Sequence, residues 1–159
     1  MWDSGDTDIS PAALRMRVIR SGFCIQTDWE VTMLGCDSCT ICCKVLKIQE
    51  LDKPGNVWCK HCEIGVGCRS YEDRPESCRV YECVWLKSQR FPNPIPGELR
   101  PDKSRVVIGT MNDGDDVVLY VTQDRPDAWK KGEFGKLIAK WQSTGITVFT
   151  ACGEVLRRV

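Results

Sequence analysis

The feature that most constrains this chain is its concentration of cysteines. Eleven cysteines occur in 159 residues, and nine of them lie between positions 36 and 83. The series opens with the run Cys36-x-x-Cys39-x-x-Cys42-Cys43. Thiols at this density either form disulfides in an oxidising compartment or hold a soft metal ion as thiolates. A chain of this length can bury a hydrophobic core without cross-links, so the cysteines need a chemical explanation.

The compartment that the sequence predicts favours metal over disulfides. Residues 1–8 are acidic, and Arg15, Arg17 and Arg20 interrupt the apolar residues that follow, so the pattern of a signal peptide is missing. No run of residues is apolar enough to predict a membrane span. We therefore expect a cytoplasmic protein with reduced thiols and no membrane contact. The odd number of cysteines also fits a fully paired disulfide scaffold poorly.

Charge and motifs exclude several classes of function. Lysine plus arginine and aspartate plus glutamate each number 22, which predicts no nucleic-acid partner. With His61 as the single histidine, a histidine-based triad or a multi-histidine catalytic zinc site is excluded. No P-loop, dinucleotide-binding, zinc-protease or nucleophile-elbow motif occurs. The sequence therefore assigns no catalytic residue.

Composition divides the chain into four stretches and predicts an α+β fold. The stretches are a polar N-terminal extension (1–30), a metal-stapled cysteine region (31–90), a proline-rich connector (91–104) and a β-β-α-β element (105–159). The connector holds four prolines, which predict an extended conformation. We expect the last stretch to pack on the cysteine region as one domain.

The β-β-α-β element is predicted from local patterns. β-Branched runs at 106–108 and 117–121 flank a glycine-containing turn, which is typical of a hairpin. Asp127 is predicted to cap a helix that runs to about residue 143, and residues 146–149 predict a closing strand. We interpret this element as scaffold, with Trp129 and Trp141 as packing residues.

Spacing inside the cysteine region allows one metal centre or two. On a helical path, Cys42 and Cys43 would point about 100° apart. The segment could therefore wrap one centre as a loop, or the adjacent thiols could serve different centres. The sequence at 73–76 predicts a helix start with Cys78 in the first turns. Cys83 would lie about 140° round that helix, so it binds the same atom as Cys78 only if the helix is broken.

These motif residues resemble the CxxCxxCC family of zinc- or iron-chelating proteins, whose small bacterial members are called cysteine-cluster proteins. The resemblance covers residues 36–86 and includes a Gly67-Cys68-x-x-Tyr71 segment and an Arg74-Pro75-x-x-Cys78-Arg79 segment. It implies eight metal ligands: Cys36, Cys39, Cys42, Cys43, Cys59, Cys68, Cys78 and Cys83. Cys62 lies outside this pattern as an auxiliary ligand. Cys24 and Cys152 are expected to be buried free thiols.

The identity of the metal and the biological role follow as hypotheses. Zinc and iron–sulfur clusters both use thiolates, but Cys42-Cys43 exceeds the needs of one tetrahedral zinc site, which favours an iron–sulfur cluster, foremost [4Fe–4S], over Zn²⁺. His61 is either a ligand or a polar loop residue. The leading hypothesis is electron transfer, redox sensing or support of a partner enzyme, and we expect an unidentified protein partner. The alternatives are a structural zinc adaptor and a cluster-bearing enzyme, and the enzyme would need an open coordination position.

Overall fold

The computed structural model describes Cys36 and residues 38–159, and it has the α+β architecture that the sequence predicts. The predicted N-terminal extension, residues 1–30, and Cys24 lie outside the described residues. Within the described part of the chain, no helix has the length and apolar character of a membrane span.

The cysteine region consists of short elements joined by turns. They are α1 (Cys42–Val45), β1 (Cys62–Glu63), β2 (Gly67–Cys68), α2 (Glu76–Val80) and α3 (Val84–Ser88). The strands β1 and β2 pair antiparallel. Helices of one turn are unstable alone, so packing against the rest of the protein must hold this region together.

The proline-rich stretch is packed, and the extended conformation predicted for it is wrong over its second half. A 3-10 turn, Gly97–Leu99, precedes α4 (Pro101–Ser104). Pro101 occupies the first helical position, where its missing N–H costs nothing. Ile95 and Leu99 are buried in the main core. The prolines in this stretch therefore shape tight turns instead of holding the backbone extended.

A four-stranded sheet forms the C-terminal part, in the order β3 (Val106–Met111), β4 (Asp116–Val121), β5 (Thr147–Cys152) and β6 (Val155–Arg158). The hairpin of β3 and β4 confirms the prediction, and its turn residues Asn112, Asp113 and Gly114 all have positive φ. The closing strand β5 is also confirmed, and it lies parallel to β4. The strand β6 pairs antiparallel with β5 and was not predicted.

The helix between β4 and β5 begins later than the sequence predicts. It is α5 (Phe134–Ser143), whereas Asp127 was expected to cap it. A 3-10 turn, Ala128–Lys130, follows Asp127, and Gly132 then takes a φ of 63°, which ends any helical path there. The predicted end of the helix is confirmed. Trp129 and Trp141 pack against the core as expected.

The sheet separates two hydrophobic layers. On one face, Ile108 and Leu119 pack with Phe134 of α5 and with Trp85 of α3. Val107 points to the opposite face because side chains alternate along a strand. There it packs with residues of the cysteine region: Ile41, Val45, Cys42, Leu46, Trp58, Tyr81 and Cys83. The cysteine region therefore contacts both faces of the sheet, through α3 on one face and through the residues around α1 on the other.

Candidate metal centre

One set of cysteines converges around α1. The backbone N–H of Cys59 donates to the carbonyl oxygen of Cys43 at 3.0 Å, which lays the following loop against the helix. The N–H of Cys62 then donates to Cys59 O at 3.0 Å, and the β1–β2 pairing places Cys62 opposite Cys68. We call this set the inner group, and its members are Cys42, Cys43, Cys59, Cys62, Cys68 and Cys78.

The thiols of the inner group lie close enough to perturb one another. The neighbouring Cys42 thiol, followed by burial, raises the pKa of Cys43 far above its usual value. Burial, followed by the charge of Cys43, raises the pKa of Cys62 to about 12. The pKa of Cys78 is raised by burial and, more weakly, by Cys43, Cys59 and Cys68. The cysteine of α2 therefore faces the same cluster as those of α1 and the hairpin.

A second set, the outer group, consists of Cys36, Cys39 and Cys83. The three residues line a cavity of about 20 Å³, together with Trp85 and Arg100 among others. The pKa of Cys36 is raised to about 11, first by burial and then by Cys83, Cys39 and, across to the inner group, Cys43. Cys83 directly precedes α3, and helix α2 ends at Val80. Residues 81–83 interrupt the helical path between α2 and α3, and Cys83 lines this cavity whereas Cys78 does not.

Two further side chains border the outer group. An Nη2 N–H of Arg100 donates to Cys36 O at 3.4 Å, and the guanidinium lies 5.7 Å from the centre of the Trp85 ring. Its Nε lies 3.2 Å from an oxygen of Asp102. The hydroxyl of Tyr81 is buried without a hydrogen-bond partner among the described residues. Burial, followed by the charge of Cys83, raises the pKa of that phenol.

A buried lysine supports the inner group. Lys53 is only 7% exposed, and its Nζ donates to Lys44 O at 3.2 Å, to Pro54 O at 3.0 Å and to Leu46 O. Desolvation lowers the pKa of Lys53, whereas Cys59 and other inner-group thiols raise it. The ammonium therefore ties α1 to the following loop and brings positive charge next to the thiols.

Two other residues singled out from the sequence have polar partners of their own. The Nδ1 of His61 is 3.1 Å from Ser70 Oγ, so the imidazole pairs with a hydroxyl. Cys152 lies at the end of β5, where Asn56 Nδ2 approaches its sulfur at 3.9 Å. Lys53, Tyr81 and Arg100 had no signal in the sequence, because only the fold brings them to the cysteines.

The sulfurs are not arranged as metal ligands in this conformation. Among the described residues, no group of three or more cysteine, histidine, aspartate or glutamate side chains could hold a metal ion as it stands. No disulfide joins the ten cysteines that the structure describes. Metal binding would therefore require thiols to change rotamer and to lose their protons.

Comparison of the chain with models of protein families, with curated proteins and with solved structures finds no match. The resemblance to the CxxCxxCC family therefore stays a prediction that rests on the motif residues.

The raised thiol pKa values predict how the reduced, metal-free protein responds to pH. A thiol whose pKa is higher in the folded state contributes stability that is fully present below the pKa of the unfolded chain, 9.0. That contribution is lost as the pH rises through the pKa of the folded state, which is about 11 for Cys36. Lys53 has the opposite effect on stability. Burial lowers its pKa, so the fold gains stability when a rise in pH deprotonates the ammonium. The thiols with raised pKa values outnumber this lysine. We therefore expect the urea concentration at the unfolding midpoint to decrease as the pH is raised from 8 to 10.5. A midpoint that rises over this interval would contradict the prediction.

Proposed function

We propose that the cysteines of this protein bind an iron–sulfur cluster and that the protein acts in electron transfer, redox sensing or support of a partner enzyme. The observation that carries the proposal is the convergence of nine thiols, spread from Cys36 to Cys83 in sequence, into two groups. Thiolates are the ligands that both zinc and iron–sulfur clusters require.

The surroundings of the thiols fit a metal–thiolate centre. Thiols held this close oppose one another's ionisation, and a bound cation removes that repulsion. The buried ammonium of Lys53 offsets part of the negative charge that several thiolates bring. The Tyr81 hydroxyl has no partner in the described structure, and a metal-bound sulfur of the outer group would offer it an acceptor.

The chain itself would hold and tune such a group. When bound, an iron–sulfur cluster supplies reversible one-electron chemistry, whose potential depends on nearby charge, hydrogen bonds and solvent exposure. Lys53 is the fixed positive charge beside the inner group. Val107 and the residues packed on its face of the sheet exclude solvent from one side of the inner group. The cluster, once bound, would hold together a region whose own helices span one turn.

One observation favours the alternative, a structural zinc adaptor. Several apolar side chains of the cysteine region are exposed, including Ile64 at 62%, Val66 at 64% and Val80 at 70%. Ile64 and Val66 lie in the turn between β1 and β2, where they stabilise nothing in the described structure. Exposed apolar side chains of this kind suit contact with a protein partner. An adaptor would need the metal only to fix this surface.

Anaerobic purification followed by a visible spectrum and analysis of iron, zinc and acid-labile sulfide tests the proposal. We expect a brown protein that carries iron and sulfide and bleaches in air. A colourless protein with stoichiometric zinc would replace the cluster by the adaptor function. A folded protein without metal and with oxidised cysteines would overturn both.

A further inference from the structure

We infer that a cleft beyond the carboxyl end of β4 binds a small organic anion with an apolar body. The cleft has a volume of about 600 Å³, which lies in the range of binding sites for small molecules. No cysteine is among the described residues that line it. This second site is therefore separate from the cysteines and does not depend on the proposed metal binding.

The position of the cleft follows from the path of the chain after β4. Strands β4 and β5 are parallel and are connected through α5, and in open α/β sheets ligands bind beyond the carboxyl ends of the strands. Residues 122–133 connect β4 to α5, a longer path than the roughly two to six residues usual for such a connection. The additional residues, from Asp124 to Glu133, form one wall of the cleft.

Hydrogen bonds within the chain hold both walls in place. In the first wall, the N–H of Arg125 donates to Thr122 O at 3.0 Å, and the N–H of Ala128 donates to Arg125 O at 3.2 Å. In the second wall, the hydroxyl of Ser104 donates to Leu99 O at 3.2 Å and accepts from the first N–H of β3 at 3.3 Å. Because the walls are already ordered, binding costs less conformational entropy than it would in a cleft formed by mobile loops.

The most buried part of the lining is apolar. Leu99 and Phe134, which are 4% and 1% exposed, extend to the cleft from the main core. Ala128 packs against the same core, and Pro126 also lines the cleft. These side chains suit the apolar body of a ligand, because burial of apolar surface stabilises a complex.

The charged side chains of the rim specify the head group of the ligand as an anion. Three of the four carboxylates in the described lining are paired with lysines outside it: Asp124 with Lys44 at 2.8 Å, Asp127 with Lys130 at 2.8 Å and Glu133 with Lys136 at 2.9 Å. The two cations of the lining, Arg125 and Lys131, form no ion pair within the part of the chain that the structure describes. The fourth carboxylate, Glu98, is likewise unpaired there. Two available cations against one available carboxylate favour a negatively charged head group.

Calorimetric titration with three naphthalene compounds tests the inference. Naphthalenesulfonate, naphthalenemethanol and naphthylmethylammonium share an apolar body and differ in the charge of the head group. We expect the sulfonate to bind at a single site, the alcohol to bind several-fold more weakly, and the ammonium to bind most weakly. Added salt should reduce these differences, because it screens exposed charges. Equal affinity for the three compounds, tighter binding of the ammonium or no binding of the sulfonate would refute the inference.

Substitutions at the rim test whether the sulfonate binds in this cleft. Arg125→Gln and Lys131→Gln should each weaken its binding by roughly two- to fivefold, the size expected for one exposed charge pair. Glu98→Gln should strengthen the binding, because it removes the unpaired carboxylate. Lys140→Gln is the matched control, since it removes an exposed lysine of α5 that does not line the cleft, and it should leave the affinity unchanged. All four side chains are exposed, so the variants should fold as the wild type does. Unchanged affinity in both Arg125→Gln and Lys131→Gln would show that the anion does not bind in this cleft.

Discussion

Replacement of Phe134 by alanine is expected to lower the free energy of unfolding by about 3–5 kcal/mol. Phe134 is 1% exposed and begins α5, where its ring packs into the core against the sheet. Truncation to alanine removes most of its buried apolar surface and leaves a cavity that the sheet fills poorly. Urea denaturation followed by circular dichroism measures the loss.

The matched control is Phe91→Ala, because the same atoms are removed from a ring that is 66% exposed. An exposed side chain contributes little burial, so we expect a change within about 0.5 kcal/mol. Equal effects of the two substitutions would mean that α5 does not anchor the sheet as described. Bound metal should raise the stability of wild-type and Phe134→Ala protein by similar amounts, because a ligand of equal affinity for the two folded states adds the same free energy to both.

The parts of the fold that the sequence predicts are those with a strong local pattern. The strands β3 and β4 combine β-branched residues with a turn that requires positive φ, so both strands and their pairing follow from the residues themselves. The strand β6 carries no such pattern, because all four of its residues are exposed. Its conformation comes from pairing with β5, which no local pattern reveals. Asp127 was a suitable cap, but Gly132 moved the start of the helix past it.

For the cysteine site too, some features follow from the sequence and others depend on the fold. Motif spacing selects the cysteines, and the fold gathers the nine between Cys36 and Cys83; their role as ligands stays a prediction. Their division into two groups depends on the packing of α3 and α4 on the sheet, and this packing is a long-range property. Spacing had allowed one centre or two, and the interruption of the helix before Cys83 could not be read from spacing. Lys53 and Arg100 resemble ordinary surface residues in the sequence because burial depends on distant contacts.

Replacement of Lys53 by methionine is expected to destabilise the protein by about 2–4 kcal/mol, although an apolar side chain would normally suit a buried position. The substitution keeps the bulk but leaves the carbonyl oxygens of Lys44, Leu46 and Pro54 without their donor. The relief of ammonium desolvation offsets only part of this cost. Because the lost contacts fix α1 to its loop, we expect amide hydrogen exchange to increase at residues 42–59 and to stay slow in β3 and β4.

Lys47→Met is the matched control, since Lys47 is exposed and lies 3.8 Å from Glu154 in a surface ion pair. Such pairs contribute little, so a change within about 0.5 kcal/mol is expected. Substitutions of Lys53 also distinguish its structural role from the role of its charge. If Lys53 offsets thiolate charge, Lys53→Met should weaken Co²⁺ binding to the inner group, whereas Lys53→Arg should retain more of it. Binding unchanged in Lys53→Met would assign this lysine a purely structural role, because its carbonyl contacts would then account for its burial.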